Sequence, residues 1–428
     1  MQIKKLTAFI ALATLAGAAQ ATDGYFAHGY GMKAKGMGGA ATAMADDTFG
    51  GANNPASMAF VGDRLDVGID LFSPRRSASR TGVGPLNASV DSDSDYFLIP
   101  EFGYNKMLNQ NLSLGVSVYG NGGMNTNYPG GQINCGGGPA NLLCGSGKLG
   151  VNLVQLVIAP TAAYKIAPDH AIGISPLIGY QRFKAYGLQA FQSTPPSSSP
   201  SNVTNNGYDD SFGFGVRVGY QGKIAPTLTL GAAYASKMSF NEYDKYKGLF
   251  AEQGGFDIPE NYNLGVAWQA SPQVLVALDY QRINYSQVAS VGNPVSNLFA
   301  GNLMGTNNGP GFGWDDANVW KLGAEYKYNN QWTFRAGYNR TDNPISGGDL
   351  GEVTFNILAP AVIKDHGTLG VTYTLASGGE LTVAYMHAFK NSVSGTSILP
   401  AFGGGAPGGT ETINMYQDSI GVAFGMKM

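Results

Sequence analysis

After about its first sixty residues the chain settles into strict alternation, apolar residues at every second position and small or polar ones between. In Trp332-Thr-Phe-Arg-Ala-Gly-Tyr-Asn-Arg340, one face carries Trp332, Phe334, Ala336 and Tyr338, the other Thr333, Arg335, Gly337 and Asn339. The same period predicts strands at Arg64–Phe72, Tyr96–Lys106, Leu112–Gly120, Val151–Lys165, Ala171–Lys184, Ser211–Lys223 and Leu228–Met238. It continues at Tyr262–Ala270, Val274–Tyr285, Asn318–Tyr328, Trp332–Thr341, Lys364–Leu375, Leu381–Lys390 and Tyr416–Lys427. Every second connection is very short: Met107–Asn111, Ile166–His170, Ile224–Thr227, Ser271–Gln273, Asn329–Gln331 and Ala376–Glu380. The others, such as Asn121–Gly150, Gly187–Asp210, Ser286–Ala317 and Asn391–Met415, are long and rich in Gly, Ser, Pro or Asn. Short periplasmic turns alternating with long outer loops predict an all-β fold, an antiparallel transmembrane β-barrel of about 14 strands with both ends periplasmic. A soluble β-sandwich would show neither that alternation nor strands this long.

Composition sharpens the picture. Charged residues make up 13% of the 428, and 62 are Gly, against about 25% and 7% in ordinary soluble domains. Past the first two dozen residues, no run reaches the ~18 apolar residues of a membrane helix. The start reads as a secretory signal over 1–21: basic Lys4 and Lys5, an apolar core Leu6–Ala16, and Ala19-Gln20-Ala21 before the cleavage point. Its removal takes the formal charge from −3 to −5 by loss of the two lysines, which gives no electrostatic case for nucleic acid. These features place the protein in a Gram-negative outer membrane as a multi-pass barrel. Cys135 and Cys144, in an exported chain with no His nearby, are expected to form a loop-closing disulfide and no metal site.

Residues 22–60 differ from the rest, being rich in Gly and Ala and poor in β-branched residues, and they suit a compact, partly helical plug inside a barrel spanning 61–428. Pro55 fits the first turn of a helix with Asn54 as its N-cap. Strand parity points Arg64, Asp66, Asp70, Glu101, Arg217, Lys321, Glu325 and Arg335 into the lumen. Confined charges need partners, so a lattice of ion pairs is one expectation; the other is that Arg217 or Arg335 meets a ligand carboxylate. Parity also turns Phe97, Ile99, Leu153, Val157, Leu177, Leu275, Ala384 and Met386 inward, an apolar lining that a porin for polar solutes would not need. In the loops, Leu188, Ala190, Phe191, Leu249, Phe250, Phe256 and Ile258 form a candidate apolar patch for capture.

The run His28-Gly-Tyr-Gly, Lys35-Gly-Met-Gly-Gly-Ala40, Ala45-Asp-Asp47 and Asn54-Pro55-Ala56 resembles the hatch of the FadL-type outer-membrane transporters. The sharp likeness covers about the first 60 residues. Members carry long-chain fatty acids, and TodX-like relatives carry aromatic hydrocarbons. The resemblance implies a fourteen-strand barrel with an N-terminal hatch that rearranges, Thr22–Phe26 reaching the ligand, and capture at the third and fourth outer loops. It also implies sideways release at a kink in the third strand, where Gly115 and Gly120 would weaken the ladder. The last strand resembles the signal read by the barrel-assembly machinery, with Phe424 outward and Met428 terminal.

Four scattered histidines, His28, His170, His366 and His387, supply no catalytic arrangement or metal spacing. The expected function is passive uptake of hydrophobic molecules without enzyme activity or cofactor, by a monomer set in outer-membrane lipid and lipopolysaccharide. The competing readings are a porin for polar solutes and a structural or adhesive barrel.

Overall fold

The computed structural model describes residues 22–193 and 196–428; the predicted signal over 1–21 lies outside the described residues. Fourteen antiparallel strands close into a barrel: β1 Arg64–Thr81, β2 Phe97–Met107, β3 Leu112–Tyr128, β4 Leu149–Ala167, β5 His170–Tyr186, β6 Asp209–Ala225 and β7 Leu228–Ala235, then β8 Asn261–Gln269, β9 Val274–Ile283, β10 Ala317–Lys327, β11 Trp332–Thr341, β12 Asp365–Thr374, β13 Glu380–Thr396 and β14 Thr410–Lys427. Each pairs with its chain neighbour, and β1 closes the cylinder on β14 from Arg64↔Lys427 to Thr81↔Thr410.

Sidedness follows the period of two. Outward Ile69, Phe214, Leu264, Trp320 and Leu369 are 46–66% exposed, whereas inward Asp70, Arg217 and Lys321 are 2–7% exposed. Apolar residues outside and charged residues inside invert the soluble pattern, as lipid on the outer face requires. Several strands outrun the bilayer. β1 and β14 have 18 residues each and β4 has 19, against the ~9–11 that cross a membrane. Their extensions, such as Ser73–Thr81 of β1, stand above the lipid, where apolar alternation is no longer demanded. That is why the sequence pattern ends them early.

The described residues ahead of β1 fold into two short helices, α1 Met32–Gly36 and α2 Met58–Val61, with a 3-10 turn, Pro55–Ser57, leading into α2. Asn54 caps that turn, accepting from Ala56 N at 3.1 Å, and its side-chain amide donates to Thr42 O (2.7 Å) and to Tyr220 O of β6 (2.9 Å). This segment meets the inner face of all fourteen strands. Polar ties include Lys35–Asp70 on β1 (2.6 Å) and Lys33–Glu380 on β13 (2.7 Å), while Ala41 and Thr42 N–H both donate to Asp279 of β9 at 2.8 Å. Elsewhere the contact is backbone against wall glycine. A side chain at Gly173 would strike Pro55, at Gly219 Asn54, at Gly231 Thr42, at Gly337 Gly38, and at Gly421 Met32. The inward glycines let the segment approach the wall at backbone distance.

Replacing Gly337 with Val should therefore expel the segment from the β11 wall, leaving the barrel folded but exposing Lys33 and Lys35 to trypsin. Gly367→Val, on the lipid side of β12, where an added methyl meets only the Phe389 ring at 3.7 Å, should stay resistant. Proteolysis of both variants in detergent checks this; equal resistance would count against wall packing as the anchor.

Candidate functional site

The outer loops enclose two spaces. An open groove of about 740 Å³ lies at the surface between Leu86, Leu298, Phe299, Leu399 and Phe402, flanked by the Cys135–Cys144 disulfide. That bond closes the turn after a two-stranded hairpin, Ile133–Asn134 with Pro139–Ala140. Deeper lies a small cavity of about 40 Å³ lined by Phe183, Leu188, Phe191, Leu249, Phe250 and Phe355. Phe191 divides the two, edge-on to Phe355 (5.8 Å) and to Phe402 (5.1 Å).

The expected capture residues are thus internal. Leu188, Phe191, Phe250, Phe256 and Ile258 are all buried, because the long loops fold over one another and over the lumen. Of the capture candidates only Ala190 lines the exposed apolar groove, whose large apolar residues, Phe299 and Phe402 among them, the sequence did not single out.

Below the cavity an aromatic cage closes around Tyr25 of the N-terminal segment. Its ring lies 5.2 Å from Tyr285, 5.8 Å from Trp314 and 6.0 Å from Phe256, and Phe256 in turn lies 5.0 Å from Phe250. Trp314 is held by its indole N–H on Asn356 (2.6 Å), and the Tyr285 hydroxyl donates to Asp23 O. Phe97, Ile99, Leu153 and Met386 join Phe191, Phe250 and Phe256 in the same buried apolar cluster. Leu275 does not. It packs below the N-terminal segment with Met37, Ala40 and Ala277. Tyr285 and Trp314 escaped the sequence reading because they sit at the two ends of the long loop between β9 and β10, beyond the alternation that lipid imposes.

The cage ends at an interruption in the wall. Pairing of β2 with β3 runs from Met107↔Ser113 to Phe102↔Val118 and stops. Pairing holds at Gly115, opposite Asn105, which corrects the expectation that Gly115 weakens the ladder. A side chain at Gly115 would meet Met58, so that glycine serves close packing against α2. On the other edge of β3, its pairing with β4 shifts register between Gly120 and Gly122. At this level the N-terminal segment replaces β2: Phe26 bridges Gly122, Ala27 N–H donates to Asn121 O (3.2 Å) and Gly123 N–H to Tyr25 O (3.3 Å). Arg76 reaches across from β1 to Asn125 O and Ser94 O.

Opposite this apolar side runs a polar belt. Arg217, Asn261, Gln281, Lys321, Asn339 and His366 face inward from β6 to β12 at neighbouring register positions. Asp23 faces the belt, 3.8 Å from Lys321 and 3.3 Å from the Asn339 amide, and His28 stacks on His366 at 6.1 Å. The two predicted arginines differ sharply. Arg335 is paired with Glu325 at 2.7 Å and donates to Thr372 at 2.6 Å. Arg217 is buried with Nε and Nη1 lacking partners, within electrostatic reach of Tyr30, Tyr119 and Lys321. Arg335 is a structural cation, and Arg217 is available to an anion.

Arg335→Ala should cost about 3–5 kcal/mol, because it strips buried Glu325 of its close partner and leaves only Lys327 at 3.7 Å. Arg217→Ala should cost less than about 1 kcal/mol, since no ion pair is lost with it. Urea titrations of refolding into lipid vesicles compare the two; equal costs would show that Arg217 also has a structural partner.

Known proteins agree with this architecture. The toluene transporter TodX of Pseudomonas putida superposes with a TM-score of 0.68 at 18% identity, covering 94% of this chain and 99% of its own. For the Ralstonia pickettii toluene transporter TbuX the values are 0.63, 16%, 94% and 99%. A Pseudomonas aeruginosa FadL homologue gives 0.67, 15%, 93% and 99%. No curated protein sequence matches the chain. The model of the outer membrane protein transport family OMPP1/FadL/TodX matches residues 7–398. The chain belongs to that family of outer-membrane transport channels, which are not enzymes.

Proposed function

We propose that residues 22–60 act as a movable hatch and that the barrel takes up hydrophobic molecules bearing an anionic head, with long-chain fatty acids as the favoured class. One observation carries this reading: apolar residues line the surface groove and the loop cavity and build the Tyr25 cage, which adjoins the interrupted β2–β3 wall. Each methylene moved from water into such a lining contributes about 0.8 kcal/mol, so transfer down a gradient needs no nucleotide or cofactor. In this reading the tail lies against Leu153, Ile99 and Phe97, and the carboxylate meets Arg217 with Lys321 nearby. The polar belt disfavours passage along β6 to β12, so the molecule leaves sideways once Tyr25–Ala27 withdraw from Gly122.

The aromatic cage favours a second reading, in which aromatic hydrocarbons are the cargo and Arg217 is incidental. The similar toluene transporters TodX and TbuX lend it weight. An open porin for polar solutes fits less well, because the N-terminal segment meets every strand of the wall.

Uptake of labelled oleate and labelled toluene by cells lacking their own hydrophobic channel separates these readings. Oleate entry that falls about tenfold in Arg217→Ala is expected from loss of one charge-assisted bidentate contact, with toluene entry unchanged. Entry of toluene alone would establish the second reading. Entry of neither would overturn hydrophobic transport.

A further inference from the structure

The outer face of the barrel carries a repeated device just above its apolar band. Tyr180 and Arg182 on β5, Tyr280 and Arg282 on β9, and Tyr338 and Arg340 on β11 all point outward, with Tyr two positions below Arg. Tyr385 and His387 on β13 repeat it with His in place of Arg. In three of the four the basic side chain is closed by an aspartate of the next strand or its approach: Arg282–Asp316 at 2.8 Å, Arg340–Asp365 at 3.2 Å and His387–Asp418 at 2.8 Å.

The β5 unit is different. Arg182 stands 3.7 Å from Asp210, whose Oδ1 already accepts the Tyr180 hydroxyl at 2.5 Å, and its Nε lacks a hydrogen-bond partner. The guanidinium lies over the Tyr208 ring at 3.9 Å. Lys184, two positions on, lies over the same ring at 4.6 Å, and no carboxylate among the described residues pairs with it at ion-pair distance. The Tyr208 hydroxyl is fixed by the Asn152 amide (3.2 Å), and the other nearby acid, Asp209, accepts the Lys245 N–H (2.8 Å). Two cations are therefore held side by side on one aromatic platform, Arg182 with only the longer ion pair to Asp210 and Lys184 with no carboxylate at ion-pair distance. Directly beneath, Leu156, Ile158, Ile178, Phe212 and Phe214 form an outward apolar strip in cross-strand register.

We propose that Arg182 and Lys184 bind the phosphate of a phosphorylated glycolipid of the outer leaflet, with its acyl chains on the strip below. A planar guanidinium can engage a phosphate bidentately while the ammonium acts as a point charge, and an anionic headgroup at the membrane surface is a natural partner for such a pair. The strip below selects a lipid over free phosphate.

Native mass spectrometry of the full-length mature protein tests this with bis-phosphorylated lipid A, dephosphorylated lipid A of the same acylation, and inorganic phosphate. The phosphorylated lipid should bind at least about tenfold tighter than the dephosphorylated one, the scale of one lost charge-assisted contact. Arg182→Gln with Lys184→Gln should abolish that preference. The charge-keeping pair Arg182→Lys with Lys184→Arg should retain it, and so should Arg340→Gln at a closed unit. Equal binding of the two lipids would overturn the proposal, as would a preference that survives the double Gln variant or falls equally in Arg340→Gln. Displacement of the lipid by inorganic phosphate at matching concentration would overturn its lipid part.

Discussion

Everything in this barrel depends on backbone meeting backbone inside the lumen. A fourteen-strand cylinder is too wide for its own side chains to fill, and the N-terminal segment occupies it by lying directly on glycines of the wall. Gly173, Gly219, Gly231, Gly337 and Gly421 each sit where a Cβ would collide with that segment. Such closeness brings buried peptide groups with it, and each needs a partner. The wall supplies them: Asp279 accepts the Ala41 and Thr42 N–H groups, Thr368 the Gly38 N–H, and Glu101 the Gly31 N–H. Lys35 and Lys33 add ion pairs at the edge. The contact is thus extensive yet assembled from many separable polar ties, as the proposed movable hatch requires.

The lumen above the segment has two characters. Apolar residues gather on the side where β2 parts from β3, and polar belt residues on the side from β6 to β12. For a hydrophobic solute, desolvation favours the first side and opposes the second. The wall is interrupted on the favoured side, and the interruption is stitched by Tyr25, Phe26 and Ala27. One tyrosine therefore belongs both to the aromatic cage and to the seal, and a molecule that displaces the Tyr25 ring also strains the stitches at Gly122. In the proposed transport cycle, that shared residue is what would couple occupancy to opening.

Much of the barrel was legible in the sequence, since lipid on one face imposes a period of two that no other environment explains. The same rule placed Arg64, Asp66, Arg217 and Arg335 inward, and all four are buried there. It lost force wherever lipid was absent. Ser73–Thr81 continues β1 above the membrane without apolar alternation, and the loop aromatics read as a surface patch although they fold inward. Parity also cannot tell one inward arginine from another: Arg335 finds Glu325 on the adjacent strand, whereas Arg217 lies opposite Ser175 and Ala235. Gly115 and Gly120 looked equivalent too. Only their neighbours, Met58 beside one and the Tyr25–Ala27 stitch beside the other, separate a packing glycine from a kink.

The central claim is that the N-terminal segment closes the pipe to water and ions while an apolar route stays open to hydrophobic solutes. Ion conductance of the purified protein in a planar lipid bilayer tests it most directly. The account predicts a wild-type protein that is silent apart from brief openings, and a steady conductance once the segment is removed. A steady, ohmic conductance in the wild type would contradict it and return the molecule to the class of open porins.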